Sequence, residues 1–163
     1  MSDRCTPGYQ MTISNKLNLL FEIMLQYQAG MTAVTSPEGK IGQYLGSGDG
    51  VAIGETVRGR VRWDLYEVVG ETHCQTNFAG IIETDDGGQI HFEAKGYGMI
   101  PDPSKPHEWR MASAVQFNTV DKPYEWLNAI LGLWDGQFDM KSYRHSYRVY
   151  ARSEKVRFQN DPI

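Results

Sequence analysis

The chain has little of what the common catalytic and cofactor motifs require. Its two cysteines, Cys5 and Cys74, stand far apart and outside any CxxC pair. That excludes zinc-ribbon and thioredoxin-type spacing and leaves two free thiols as the expected state. The four histidines, His73, His91, His107 and His145, show no HxH or HxxxH spacing, so neither a metal nor another cofactor is expected. No nucleophile elbow supports a Ser-His-Asp triad. Gly46-Ser47-Gly48-Asp49-Gly50 resembles a phosphate-cradling loop only superficially, because no GxxxxGK[ST] run is present and no helical pattern follows Gly50. Positive charge is not in excess, with 16 Lys and Arg against 20 Asp and Glu and a net charge of -4. That balance argues against a nucleic-acid partner. No apolar run reaches the length of a signal peptide or a membrane span, so a cytoplasmic location with no membrane partner is expected.

What is present is β patterning. At 163 residues, with 40% hydrophobic residues, 17 Gly and 9 Tyr, the chain suits one turn-rich domain spanning 1–163, with peripheral tails at 1–16 and 154–163. Leu17, Leu19, Phe21, Ile23, Leu25 and Tyr27 recur at every second position, as in a strand. Ser36-Pro37-Glu38-Gly39 reads as a tight turn and Gly46 to Gly50 as a flexible bend. The clearest alternation places Val57, Gly59, Val61, Trp63 and Leu65 on one face and Arg58, Arg60, Arg62, Asp64 and Tyr66 on the other. Asn77 to Gly98 reads as a long hairpin about Asp85-Asp86-Gly87-Gly88, with Ile90, Phe92, Ala94 and Gly96 turned to a core. Pro101, Pro103 and Pro106 mark a loop.

Further strands are expected over Arg110 to Asn118 and Ser142 to Ser153. Between them Asp121 stands as a helix N-cap before Pro123, and Trp126, Leu127, Ile130, Leu131, Leu133 and Trp134 follow at helical spacing to Gly136. The sum is a mainly β fold, a closed antiparallel β-barrel of about eight strands with one helix in the C-terminal half, and a sandwich as the fallback. A barrel of that size has room for its own side chains or one small ligand.

The order LNLLFEIML, GETVRGRVRWD, GIIETDDGGQIHFEAKGYG, VQFNTVDKPYEWLNAILGLWDG and RVYA resembles the bacterial domain-of-unknown-function family numbered thirty-two thirty-seven, from about Leu17 to Ala151. The resemblance implies a closed antiparallel barrel similar to lipocalin-like and allene-oxide-cyclase-like barrels, and it implies no agreed activity. Many relatives carry a Pro-Gly-Gly run before the Asp of the central strand. Here Val61-Arg62-Trp63-Asp64 stands in its place, so a site built on that bend is not carried over.

Candidate site residues follow from side-chain type. His91, Glu93 and Tyr97, with Lys95 between, offer a base, an acid and a phenol along one strand face, and Glu22 is a carboxylate between apolar Leu20 and Met24. These four are the candidate catalytic residues. Arg62, beside Arg58, Arg60 and Asp64, is suited to hold an anion. Trp63, Phe117 and Tyr147 are suited to line a cavity around an aromatic ligand. Such rows are equally the ordinary exterior and core of a sheet. The expected function is a cofactor-free isomerase, cyclase or lyase acting by acid-base chemistry on a small, partly apolar, aromatic or carboxylate-bearing molecule inside the barrel. A lipocalin-like carrier of a small organic ligand is the alternative, and an oligomer such as a homodimer is a third reading.

Overall fold

The computed structural model describes residues 17–34 and 41–152. The expected tails and the Ser36–Gly39 turn lie outside the described residues. The strands are β1 (Leu17–Tyr27), β2 (Thr32–Ala33), β3 (Gly42–Ile53), β4 (Gly59–Val69), β5 (His73–Thr84), β6 (Gln89–Met99), β7 (Glu108–Asn118), β8 (Leu131–Asp139) and β9 (Arg144–Arg152). From β3 to β9 each strand pairs antiparallel with the next, and β1 pairs with both β9 and β3, which closes an eight-stranded barrel. The two-residue β2 adds only to β3.

Alternation decides the inside. Val61, Trp63 and Leu65 of β4 are buried while Arg60, Arg62 and Asp64 are exposed, because side chains on a strand point alternately to opposite faces. The same holds for Phe21, Ile23, Leu25 and Tyr27 of β1 and for Ile90, Phe92 and Ala94 of β6. Leu17 and Leu19 are exposed, and the β1–β9 register slips between Leu19 and Phe21. The β5–β6 turn forms as its residues demand. Gly87 takes φ +91°, and the Thr84 and Gly88 backbones close the turn at 2.9 Å.

Two expectations differ from the structure. Gly46 to Gly50 is continuous strand, not a bend. A side chain at Gly48 would meet the Gln26 carbonyl and one at Gly50 the Met24 carbonyl, so these glycines permit the close approach of β1 that seals the barrel. The expected helix to Gly136 is cut short: a 3-10 helix covers Lys122–Ala129, and Leu131–Asp139 is strand β8. Gly132, Trp134, Gly136 and Phe138 make an inward set at period two. Trp134 is fully buried, whereas Leu131 and Leu133 face outward. Gly136 lies where a Cβ would strike the Ser146 carbonyl. Gly136→Ala is therefore expected to destabilise the fold by about 3 kcal/mol or more, measured by urea unfolding.

The 3-10 helix plugs one end of the barrel with Tyr124 and Leu127. Asp121 makes no side-chain cap; its carboxylate accepts the Gln89 N–H at 2.6 Å instead. The Tyr124 hydroxyl donates to Asp86 at 2.9 Å, pinning the helix to the β5–β6 turn. These bonds hold the Asp86 carboxyl below its usual range, the Thr84 hydroxyl contributing most. With this end closed and the middle filled by Phe78, Phe92, Trp134 and Tyr147, ligand access is left to the opposite end.

Candidate functional site

At that opposite end β4, β6 and β8 finish while β5, β7 and β9 begin, so residues distant in sequence meet around one mouth. A cavity of about 330 Å³ opens there, at the small end of the range for ligand sites. Its walls include Met31, Met111, Met140, Trp109 and Phe138, and its polar groups include Glu67 and Cys74. Thioethers and rings make a wall that adapts to the shape of an apolar guest. Gly98 stands between Cys74 and Met111, and a side chain there would collide with both sulfur atoms.

Glu67 is the distinctive group. It continues the inward series Val61, Trp63, Leu65 of β4 and is 5% exposed. Its β-sheet neighbours are Tyr44 on β3 and Thr76 on β5. Its carboxyl makes no ion pair with any described residue. Burial alone raises its pKa to about 7, because the charged form loses hydration without gaining a counter-charge. A carboxyl poised there can both give and take a proton at neutral pH.

The groups beneath it are held neutral. Burial, reinforced by Glu67, pushes the Cys74 thiol up to about 12, which leaves it a poor nucleophile. Tyr27 and Tyr147 are raised by burial first and by Glu67 among the lesser causes. His145 is buried, stacked on Phe138 at 4.2 Å, and burial lowers its pKa to about 3. Its Nδ1 and the Tyr147 hydroxyl are 3.1 Å apart, while the His145 Nε2 and Tyr27 hydroxyl are buried without a hydrogen-bond partner among the described residues.

The residues expected from sequence fall elsewhere. Glu22 is on the outer face, bonded to Arg148 at 3.2 Å, and Tyr97 is 63% exposed. His91 and Glu93 also point outward, because the inward face of β6 belongs to Ile90, Phe92 and Ala94. Arg62 points outward and pairs with Glu83 at 2.8 Å. An interior role for these five, and for exposed Asp64, is excluded by strand parity. Arg62, Asp64, His91 and Glu93 do come together, across β5, but on a groove open to solvent. Water there screens charge and leaves no enclosed medium for proton transfer. Trp63, Phe117 and Tyr147 point inward as expected. They serve the packed interior: the Trp63 indole donates to the Asp49 carbonyl at 3.1 Å, and Phe117 packs on Phe21. Glu67 was the residue missed. The signal was its parity, since it stands two positions beyond Leu65 on an apolar face.

A family model for DUF3237, a protein family of unknown function, matches residues 15–151. The chain belongs to this family. Solved structures of other proteins share its fold, among them the following three. A protein of unknown function from Clostridium acetobutylicum superposes with a TM-score of 0.71 at 16% identity, over 83% of this chain and 97% of that one. A β-barrel-like protein from Acinetobacter baumannii gives 0.71 at 16% identity, over 86% and 98%. An enzyme from Penicillium herquei gives 0.61 at 20% identity, over 93% and 100%. No curated protein matches this DUF3237 member. At such identities the likeness establishes the barrel alone.

Proposed function

We propose that this DUF3237 protein is an acid-base enzyme, an isomerase, cyclase or lyase in reaction class, which takes a small apolar or aromatic molecule into the mouth cavity and exchanges a proton with it through Glu67. The observation that carries the reading is a carboxyl buried without an ion pair in an apolar cavity, its pKa raised to about 7. Perturbation by burial in a cleft marks a candidate acid or base. That a protein of the same fold is an enzyme is compatible with this. Cys74 is disfavoured as nucleophile by its raised pKa, and no arginine lines the cavity among the described residues. The anion-clamping part of the expectation is therefore dropped.

The test is a screen of small apolar molecules incubated with protein in D₂O and read by NMR for isomerisation, elimination or deuterium uptake. Any turnover is expected to fall by about 10²–10⁴-fold in Glu67→Gln and to follow a single ionisation near pH 7. Turnover undiminished in the variant would falsify the assignment. Ligands that bind and are never altered would favour the carrier reading, in which the same cavity holds its guest unchanged.

A further inference from the structure

We propose that the ligand of the mouth cavity is an uncharged aromatic molecule carrying one hydrogen-bond acceptor, bound with its acceptor against Glu67 and with a proton taken up on binding. The inference rests on the reading that this cavity is the functional site, and names the class of molecule it takes.

The cavity's chemistry selects the charge. Among the described residues its lining holds two carboxyl groups, Glu67 within and Glu71 at the rim, and no Lys, Arg or His. A carboxylate or phosphate ligand would place a desolvated negative charge in a lining that offers no Lys, Arg or His among the described residues to neutralise it. An ammonium ligand would meet the opposite sign but would carry up to three N–H donors into walls made mostly of Met, Trp, Phe, Ile, Val and Pro, where most of its donors would lose water without replacement. A neutral molecule has neither penalty. Trp109 and Phe138 offer aromatic faces for its ring, and Met31, Met111 and Met140 adjust to its outline.

Proton uptake follows from what the guest displaces. An apolar guest removes the remaining water from Glu67, which disfavours the carboxylate further. The carboxylic acid, in contrast, has an O–H to give, and a carbonyl, ether or similar oxygen can accept it. The titratable groups on the surrounding elements are Tyr27 on β1, Tyr44 on β3, Cys74 on β5, His145 and Tyr147 on β9, and Tyr143 and Glu71 at the rim. Cys74 is raised to about 12, Tyr27 and Tyr147 are raised, and His145 is lowered to about 3. Glu67 is thus the buried group whose charge changes between pH 6 and 8.5.

The experiment uses four probes of one shape: 2-acetylnaphthalene, 2-ethylnaphthalene, 2-naphthoate and 2-naphthylmethylammonium. Each is titrated into the protein at pH 6 and pH 8.5 by calorimetry, in buffers of differing ionisation enthalpy so that proton uptake is counted. The ketone is expected to bind best at pH 6, where Glu67 already holds its proton and little is taken up, with uptake of up to about half a proton near pH 7 and approaching about one by pH 8.5, where affinity is roughly tenfold or more weaker. Naphthoate is expected at least about tenfold weaker than the ketone. In Glu67→Gln, a neutral isostere, the ketone's pH dependence disappears. Met140→Trp, which fills the rim, abolishes binding while the circular dichroism is unchanged.

Four results would overturn the inference: naphthoate binding as well as the ketone, the ammonium probe binding best and tightening with pH, ethylnaphthalene equalling the ketone, or no probe binding at millimolar concentration. Its fate is separable from that of the catalytic reading. If Glu67→Gln spares turnover while the selectivity and pH slope hold, catalysis by Glu67 falls and the ligand class stands. If turnover is lost in the variant but the selectivity fails, the reverse holds.

Discussion

Glu67→Gln is expected to lower turnover by about 10²–10⁴-fold, the usual share of a positioned general acid or base, and at the same time to make the protein more stable above neutral pH. The two effects have one cause. Burial has raised the Glu67 pKa from 4.5 to about 7, so the folded state holds its proton more tightly than the unfolded chain does. The stability this contributes is fully present below pH 4.5 and is lost as pH rises through 7. Its full size is about 3 kcal/mol, from the pKa difference alone. Glutamine keeps the shape and cannot ionise, so urea unfolding at pH 8 should show the variant gaining much of that amount. At pH 4 the two proteins should be nearly equal. A variant no more stable at pH 8 than the parent would show that Glu67 is solvated in the folded protein and would remove the basis for its catalytic role.

The second large effect lies on the acid side and has the opposite sign. His145 is 1% exposed and its pKa is lowered from 6.5 to about 3 by burial. A base whose folded-state pKa is depressed contributes stability that is present above pH 6.5 and is lost as pH falls through 3. The full amount is about 5 kcal/mol, enough to unfold many domains of this size. His145→Phe keeps a ring in the stack between Phe138 and Tyr147. It removes the titration, leaving the Tyr147 hydroxyl without its partner at a cost of about 1–3 kcal/mol. The variant should therefore be weaker at pH 7 yet lose less stability between pH 6 and pH 3, as followed by urea unfolding across that range. Equal acid sensitivity in both proteins would place the acid transition elsewhere. Between pH 4.5 and 6.5 the Glu67 and His145 slopes oppose one another, and below pH 4.5 only the histidine slope remains.

Much of the barrel was legible in the residue order because strand parity is a local property. Val61, Trp63 and Leu65 alternate with Arg60, Arg62 and Asp64 whatever surrounds them, and the burial of one set follows. The hairpin was legible because Gly87 is needed for a backbone turn that few other residues adopt. Two places were not. Leu127 to Gly136 fits a helical stripe and a glycine-spaced strand about equally well, and only the close approach of β9 at Gly136 selects the strand. Gly46 to Gly50 has the composition of a loop. It is strand because β1 needs room there to close the ring.

The site was less legible for a related reason. Chemistry was expected where polar residues are dense, on the outward rows of β4 and β6, and density of charge on a strand marks the face that meets water. The informative pattern is the reverse: one Glu at an apolar parity position.

The sequence by itself determined which residues of β1, β4 and β6 share a strand face, since alternation depends only on neighbours in the chain. Tertiary structure alone decided that Glu67 of β4, Cys74 of β5, Trp109 of β7 and Phe138 of β8 share one mouth while the far end is plugged by Tyr124 and Leu127. Cavity shape and desolvation arise from long-range strand register and closure, and no short stretch of the chain encodes them.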